Sequence, residues 1–207
     1  MKKPPVTTGF AEVNDVLCGG FVCGGLCEVY GDEGVGKTSV AISISKTHSC
    51  GFIDMDHSLP ARLVDWIGDQ GNMIVSYPPK GGLPALIELV DILARNVEVV
   101  VVDPVGVLDW RDMEKFVPSA AQIASIYNGI VLLVNHSNKM NIPNGQQWTS
   151  FYCSQRVEMR QGEVQFNKKS GQSESMSVLI RTTKNAYGPN YQESEMSFHF
   201  NEEFLHV

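Results

Sequence analysis

Long hydrophobic runs are missing from this sequence. No stretch of eighteen consecutive apolar residues occurs among its 207 residues, so the sequence predicts no membrane-spanning helix. Its first residues, Met1-Lys2-Lys3, are followed at once by Pro4-Pro5 rather than by an apolar segment, so we expect no export leader. Both absences favour a cytoplasmic protein that does not associate with a membrane.

Cysteine is scarce and irregularly spaced. The chain has five cysteines, an odd number, and Cys18, Cys23 and Cys27 do not form the C-x-x-C pair that is typical of zinc sites. Cys27 also falls inside a predicted strand. The sequence therefore predicts free thiols rather than a metal site or a disulfide framework.

Positive charge is in deficit as well. Lys and Arg number 16 against 23 Asp and Glu, so the formal net charge is −7. A protein that holds nucleic acid over a broad surface is normally basic, so any nucleic-acid contact is expected from a local patch. With 43% hydrophobic residues and no internal repeat, the chain is expected to form one domain.

Residues 31–38 carry the strongest motif of the chain. Their sequence, G-D-E-G-V-G-K-T, fits G-x-x-x-x-G-K-[ST], a loop whose backbone N–H groups surround a polyphosphate. A strand predicted over 26–30 and a helix predicted over 38–47 flank this phosphate loop, which argues against a chance match by a Gly-rich turn. Lys37 can reach the β- and γ-phosphates of ATP, and Thr38 can ligate Mg²⁺. The residues expected to contact the nucleotide are Glu33, Gly34, Val35, Gly36, Lys37, Thr38 and Ser39.

Apolar periodicity predicts alternating helices and strands. Helices are expected at 10–17, 60–70, 83–96 and 113–127, and strands at 51–56, 73–77, 97–102 and 130–134. Apolar and polar residues then alternate over 156–166, 175–183 and 197–200. This order predicts an α/β fold with a central, mostly parallel sheet flanked by helices and with antiparallel strands added at the C-terminal edge. Residues 1–9 are expected to be an N-terminal arm, loose over 1–6, and residues 10–207 the core.

Three carboxylates follow predicted strands. Asp103 ends the valine strand and is expected to hold Mg²⁺ through water, unless it only caps the turn before Pro104. Asp54 and Asp56 are two residues apart on a predicted strand and should share a face. One of them is expected to polarise the water that attacks the γ-phosphate. The alternative is that one caps the following turn and the other is solvated.

Asn135 and His136 follow the predicted strand 130–134. Their side chains should emerge at the same edge of the sheet as Asp103, where His136 could hydrogen-bond the terminal phosphate and link the nucleotide state to the order of the loop that follows. The alternative is a polar pair that simply ends a strand.

Several short motifs occur in order along nearly the whole chain. Besides the phosphate loop, they are Thr8-Gly9, Leu17-Cys18-Gly19-Gly20, Gly24-Gly25, Glu28-Val29-Tyr30-Gly31, Phe52-Ile53-Asp54-Met55-Asp56-His57, Val101-Val102-Asp103-Pro104-Val105, Leu133-Val134-Asn135-His136 and Thr183-Lys184-Asn185. Together they resemble the RecA/RadA recombinase superfamily, in particular core-only members such as those encoded by bacteriophages. The resemblance implies a RecA-like P-loop ATPase core over residues 10–207, with no further DNA-binding or helical domain at either end.

The resemblance also implies roles for individual residues. Asp56 corresponds to the family's catalytic carboxylate, usually Glu, and its shorter side chain predicts slow hydrolysis; Lys37 and His136 complete the catalytic set. The loop over 137–150 would contact DNA, unless it is an ordinary polar surface loop. Its candidate DNA-binding residues are Lys139, Asn141, Gln146, Gln147 and Trp148. Lys184 and Asn185 match the first two residues of a Lys-Asn-Lys run that reaches a neighbouring subunit's nucleotide, whereas Ala186 departs from the third.

Two hypotheses for function follow. The first is an ATP-dependent core that binds single-stranded DNA, hydrolyses ATP in response to it and promotes annealing or strand exchange as a ring or filament, with ATP at the subunit interfaces and a single-strand-binding protein as a further partner. In a phage-encoded protein this would occur in the host cytoplasm. The second, favoured by the negative net charge, is a regulatory ATPase of the same fold that controls a protein–protein interface without DNA. A small-metabolite kinase would need an Arg-rich lid, which the sequence lacks.

Overall fold

The computed structural model describes residues 3–59, 72–166 and 173–199. In this part of the chain, the helices are α1 (Ala11–Val16), α2 (Lys37–Ser43), α3 (Gly82–Ala94), α4 (Trp110–Tyr127) and α5 (Gln146–Tyr152). The strands are β1 (Gly25–Gly31), β2 (Cys50–Asp54), β3 (Met73–Ser76), β4 (Val99–Asp103), β5 (Ile130–His136), β6 (Cys153–Phe166), β7 (Ser173–Asn185) and β8 (Glu193–His199).

These strands form one sheet in the order β3-β2-β4-β5-β1-β6-β7-β8. From β3 to β6 all neighbours are parallel, whereas β7 is antiparallel to both β6 and β8. This confirms the predicted α/β fold, with antiparallel strands at the C-terminal edge. The first strand of that edge, β6, continues the parallel sheet beside β1, so it joins the phosphate-loop strand directly to the antiparallel part.

The apolar strands are buried because helices cover both faces of the sheet. Alternate residues of a strand point to opposite faces, so Val101 belongs to the core that packs with α1 and α2, whereas Val100 belongs to the core that packs with α3 and α4. All five residues of β4 are buried. As predicted from its valine run, this strand lies inside the parallel sheet, between β2 and β5.

Several element bounds differ from the predicted ones. Strand β2 ends at Asp54, two residues earlier than predicted, whereas β5 continues to His136. Helix α4 begins at Trp110 because the Asp109 side chain caps it, accepting hydrogen bonds from the N–H groups of the second and third residues after it. Helix α5 occurs in a stretch predicted to be a loop. The predicted helix over 60–70 and the end of the last strand at Phe200 lie outside the described residues.

The N-terminal segment is not a loose arm from residue 6 onward. Val6 is buried, and its backbone exchanges two hydrogen bonds with Phe21, at 2.7 and 2.8 Å. The N–H of Gly9 donates to the Ser43 hydroxyl at 2.9 Å. The prediction of a loose segment over 1–6 is therefore wrong at Val6, because the apolar side chain is buried in the core of its own chain.

The five cysteines are free thiols, as predicted, and burial raises the pKa of the Cys27 thiol to about 12. Within the described ranges, no helix is long and apolar enough to cross a membrane.

A buried ion pair joins β1 to its neighbours. The Glu28 carboxylate on β1 is fully buried and accepts hydrogen bonds from Arg156 Nε of β6 at 2.7 Å and from Asn135 Nδ2 of β5 at 2.9 Å. The same Asn135 amide donates to the Asn144 carbonyl at 2.8 Å, and Arg156 also donates to the Thr149 hydroxyl of α5 at 3.3 Å. The phosphate-loop strand is thus connected to β5, β6 and α5 by one polar network.

We predict that Arg156→Met destabilises the fold, because Glu28 would remain as a buried charge without its cation. The free energy of unfolding, measured with urea, should fall by about 3–5 kcal/mol. Adding Glu28→Gln should recover part of this loss, since the amide still accepts from Asn135 without a buried charge. Arg181→Met, which removes a half-exposed ion pair with Glu193, is the matched control and should change stability little. Equal losses in the two arginine variants would contradict the prediction.

Candidate nucleotide site

The phosphate loop begins at the carboxyl end of β1 and is fastened to β6. Gly31 has a φ of 147°, and a Cβ at this position would lie 1.8 Å from the Met159 carbonyl oxygen, so only glycine fits. The N–H of Asp32 donates to the same carbonyl at 3.2 Å, and its carboxylate accepts from the N–H of Gln161, also at 3.2 Å. The position of the loop is therefore set by β6 as well as by β1.

The middle of the loop forms an open cradle. Gly34 has a φ of 76°, and apart from its two chain neighbours nothing in the described part of the chain lies within 4 Å of where its Cβ would be. Glu33 and Gly34 are exposed, whereas Val35 is fully buried and packs beneath the loop. A polyphosphate can therefore approach the loop's backbone from the solvent side. Ser39, in the first turn of α2, is exposed as well.

Lys37 lies under this cradle. Only 4% of the residue is exposed, and its ammonium donates hydrogen bonds to the carbonyl oxygens of Gly31, at 3.1 Å, and Asp32. Burial lowers the pKa of Lys37, while the charges of Asp103, Asp32 and Glu33 act in the opposite direction. The side chain is thus held beside the loop by backbone oxygens of the loop itself, with one ammonium hydrogen remaining for a phosphate oxygen.

Thr38 and Asp103, the two residues predicted to hold Mg²⁺, contact each other. The Thr38 hydroxyl donates to Asp103 Oδ2 at 2.7 Å, although the two residues lie on different elements, α2 and the end of β4. The pKa of Asp103 is raised to about 6, mainly by burial and also by the charges of Asp56 and Asp54, while the hydrogen bond from Thr38 and the charge of Lys37 act in the opposite direction. Oxygen donors of this kind are those that Mg²⁺ prefers, and a cation would offset the cost of the buried carboxylate. The residues present therefore fit a magnesium ion.

Asp54 and Asp56 have different environments. The Asp54 carboxylate is buried and accepts from the N–H groups of Ser58 at 3.1 Å and Leu59 at 3.2 Å, so it caps the turn after β2. Asp56 is exposed near the tip of that turn. The prediction that both share one strand face is wrong, because β2 ends at Asp54. Asp56 is nevertheless close enough to Asp103 and His136 for its negative charge to act on both. This charge favours the protonated form of each group, although other causes lower the pKa of His136 overall.

His136 lies beside the phosphate loop. It is the last residue of β5 and pairs in register with Gly31. Partial burial lowers its pKa, as does the nearby charge of Lys37, while Glu33 and Asp56 act in the opposite direction. A neutral imidazole has one N–H to donate, which suits an interaction with a phosphate oxygen. Asn135, by contrast, is buried and bonded to Glu28.

The candidate DNA-binding residues lie on two segments. Lys139 and Asn141 are exposed in the turn after β5, and Gln146 and Gln147 are exposed at the start of α5. An open cavity of about 390 Å³ extends from His136 to this surface. Trp148 is instead packed against the core, and its indole nitrogen is buried without a hydrogen-bond partner in the described part of the chain. The protein itself therefore covers part of its ring.

The exposed aromatic residues on this surface were missed by the sequence reasoning. Phe151 is 74% exposed and Tyr152 37% exposed at the end of α5, with their ring centroids 5.0 Å apart in an edge-to-face arrangement. Because residues 137–150 were predicted to be a loop, the helix that carries these two rings was not recognised. The helical spacing of apolar residues from Trp148 to Tyr152 was the available signal.

Lys184 and Asn185 are engaged within their own chain. The Lys184 ammonium donates to the carbonyl oxygens of Ser150 at 2.9 Å and Phe151 at 3.1 Å, near the end of α5. Asn185 is buried, and its side-chain oxygen accepts from the N–H of Tyr187 and from Gln155 Nε2. Two of the three ammonium hydrogens of Lys184 are thus bonded within its own chain, and the Asn185 side chain is turned into its own sheet.

The parallel sheet and the phosphate loop at the carboxyl end of β1 define a P-loop α/β protein. Sequence comparison identifies the family, because a model described as the RecA N-terminal domain matches residues 5–115, more than half of the chain. The chain belongs to the RecA family of the RecA/RadA superfamily.

Individual relatives agree with this assignment. The RecA proteins of Trichodesmium erythraeum and Nostoc sp. strain PCC 7120 are 27% and 29% identical to it over 233 aligned positions, which cover 97% of this chain and 64% of each relative. The chain thus spans just under two thirds of the length of these relatives. The crystal structure of the RadB recombinase matches 92% of this chain and 94% of its own at a TM-score of 0.70 and 18% identity, which shows a common fold.

We predict that Asp103→Asn stabilises the chain in buffer without nucleotide or divalent cation. Because the pKa of Asp103 rises from 3.8 to about 6 on folding, the folded chain binds more protons than the unfolded chain between these values. The free-energy cost of holding a charged Asp103 carboxylate in the folded chain therefore grows as pH rises through this window and is fully present above pH 6.

The variant should be more stable than the parent by about 1–3 kcal/mol at pH 7.5, and the difference should shrink towards pH 4. Urea unfolding of both proteins across this range measures it. A difference that does not change with pH would contradict the prediction.

Proposed function

We propose that this protein is an ATP-dependent recombinase core that binds single-stranded DNA and promotes annealing or strand exchange. The observation that carries the proposal is the meeting of Lys37, Thr38 and Asp103 beneath an open phosphate loop, with Asp56 and His136 beside them. The membership of the RecA family and the names of its relatives support the DNA-directed role.

The residues of the site have distinct parts in the proposed hydrolysis of ATP. The loop N–H groups and Lys37 bind the phosphates and offset the charge that spreads over the transferred phosphoryl group. Asp56 orients the attacking water and accepts its proton, and His136 donates a hydrogen bond to the γ-phosphate. Thr38 and Asp103 would hold Mg²⁺, which when bound neutralises charge on the β- and γ-phosphates.

The DNA-binding surface is assigned to the turn after β5 and to α5. Lys139 supplies a cation for the phosphate backbone, Asn141, Gln146 and Gln147 supply amides, and Phe151 supplies an exposed ring for stacking in place of Trp148. His136 lines the cavity that opens onto this surface. Contact with the γ-phosphate at one end of the cavity can therefore be transmitted to groups that contact DNA at the other.

Assembly of several copies is part of the same proposal. Lys184 donates to two carbonyl oxygens near the end of α5, one of which belongs to Phe151, and its third ammonium hydrogen can bond a neighbour's nucleotide. ATP at a subunit interface would then change the environment of α5. A ring or a filament would both place a nucleotide between copies.

For the active site, we predict that Lys37→Ala abolishes ATP turnover, because the phosphates lose their cation. Asp56→Asn should lower kcat by about 100-fold, the lower end of the usual contribution of general acid–base catalysis, while ATP affinity changes little. Phosphate release and binding of a fluorescent ATP analogue measure the two quantities. Glu114→Gln, an exposed carboxylate change on α4, is the control. Equal turnover in Asp56→Asn and the parent would remove Asp56 from this role.

For DNA binding, we predict that the protein binds fluorescently labelled single-stranded DNA only with ATP and Mg²⁺, and more weakly at the higher of two salt concentrations, because phosphate contacts release counterions. Lys139→Ala should weaken binding and reduce the salt dependence. The matched control is Lys115→Ala, which removes an exposed cation of α4. Absence of binding at low salt would refute the DNA-binding role and favour a regulatory ATPase that acts on a protein partner.

A further inference from the structure

The turn after β2 contains a ring stack that the proposed chemistry does not use. His57, next to Asp56, lies parallel to Tyr77, with ring centroids 4.6 Å apart and an angle of 13° between the planes. We propose that the His57–Tyr77 stack positions the Asp56 carboxylate for attack on the γ-phosphate. This inference rests on the proposed ATPase function and extends it to two residues without a role so far.

The sheet brings the two rings together. His57 follows β2 and Tyr77 follows β3, and these strands are parallel neighbours whose carboxyl ends lie at the same edge. The two rings are 20 positions apart in sequence, and residues 60–71 of that interval are outside the described part of the chain. Tyr77 is 46% exposed, so its ring covers His57 at the surface rather than filling the core.

The backbone of His57 has an uncommon conformation. His57 has a φ of 58°, a left-handed conformation that side chains other than glycine adopt infrequently. This conformation directs the chain back towards Ser58 and Leu59, whose N–H groups bind the Asp54 carboxylate. Stacking on Tyr77 limits where the imidazole of His57 can lie beside this turn.

Both sides of Asp56 are therefore fixed. Before it, the N–H of Met55 donates to the Asp103 carbonyl oxygen at 2.7 Å, which fastens the turn to the strand that carries the metal-ligand candidate. After it, His57 is held by Tyr77. Within the described part of the chain, no group donates a hydrogen bond to the Asp56 carboxylate, so its direction depends on the backbone that carries it.

The length of the side chain makes this dependence strong. Aspartate has one methylene group between backbone and carboxylate, so rotation of its side chain cannot correct a shift of the turn as a glutamate could. Loss of orientation at a reacting group lowers the rate even when binding is unchanged. The stack is thus expected to affect kcat and to leave ATP affinity and overall stability nearly unaltered.

Three variants of the whole 207-residue chain test the proposal. Tyr77→Ala removes the stack, His57→Asn removes the ring but tolerates the left-handed backbone, and Tyr77→Phe keeps the ring and removes only the hydroxyl. We expect kcat to fall about 10-fold in the first two and to stay near the parent value in the third, with unchanged KM. Ile92→Ala, a similarly exposed apolar change on α3, is the control.

A second readout does not depend on activity. Hydrogen exchange of the Ser58 and Leu59 amides should become faster in Tyr77→Ala and His57→Asn, because both variants lose the ring stack next to these amides. It should not change in Tyr77→Phe, which keeps the stack. Retained kcat in Tyr77→Ala, together with slowed turnover in Asp56→Asn, would overturn the positioning role alone. Absence of ATP turnover in the parent protein would overturn the proposed function and this inference with it.

Discussion

The buried Glu28 carboxylate is the constraint on which the geometry of this molecule depends. A charge inside the sheet is tolerated only when it is paired and hydrogen-bonded, and Glu28 meets this requirement with Arg156 of β6 and Asn135 of β5. The three strands that carry the phosphate loop, His136 and the fastening point of the loop are therefore held in one relative arrangement. The same network includes Thr149 of α5, so the candidate DNA-binding surface is joined to it as well.

In the nucleotide site, by contrast, buried charged groups lack an ion-pair partner within the described part of the chain. Lys37 and Asp103 are largely removed from water but do not pair with each other in a hydrogen bond; each is bonded to neutral groups of the loop or to Thr38. Their pKa values move towards the uncharged forms, which is the sign of an uncompensated desolvation cost. A ligand that brings phosphate charge to Lys37 and a cation to Asp103 would relieve both costs together. The unliganded site therefore lowers the stability of the fold and favours binding of a phosphate group and a cation.

The structure agrees best with the sequence-based predictions where the residues of one short segment determine the conformation of that same segment. The phosphate loop, the valine strand that ends in Asp103 and the antiparallel strands from residue 156 onward were all identified from local pattern. It failed where contacts distant in sequence decide the outcome. Trp148 packs against the core, and Asn185 accepts a hydrogen bond from Gln155, 30 residues away. In both cases residue type suggested a functional group, whereas the structure shows a side chain that also contacts a remote element of its own chain.

By itself, the sequence determined that a phosphate loop lies between a strand and a helix and that the remaining elements alternate, because backbone turns and apolar periodicity are local properties. Only the tertiary structure decided which polar groups meet. Thr38 contacts Asp103 from 65 residues away, and Arg156 contacts Glu28 across 128 residues. Such contacts depend on strand order and register, which place remote side chains a hydrogen bond apart and which no local pattern specifies.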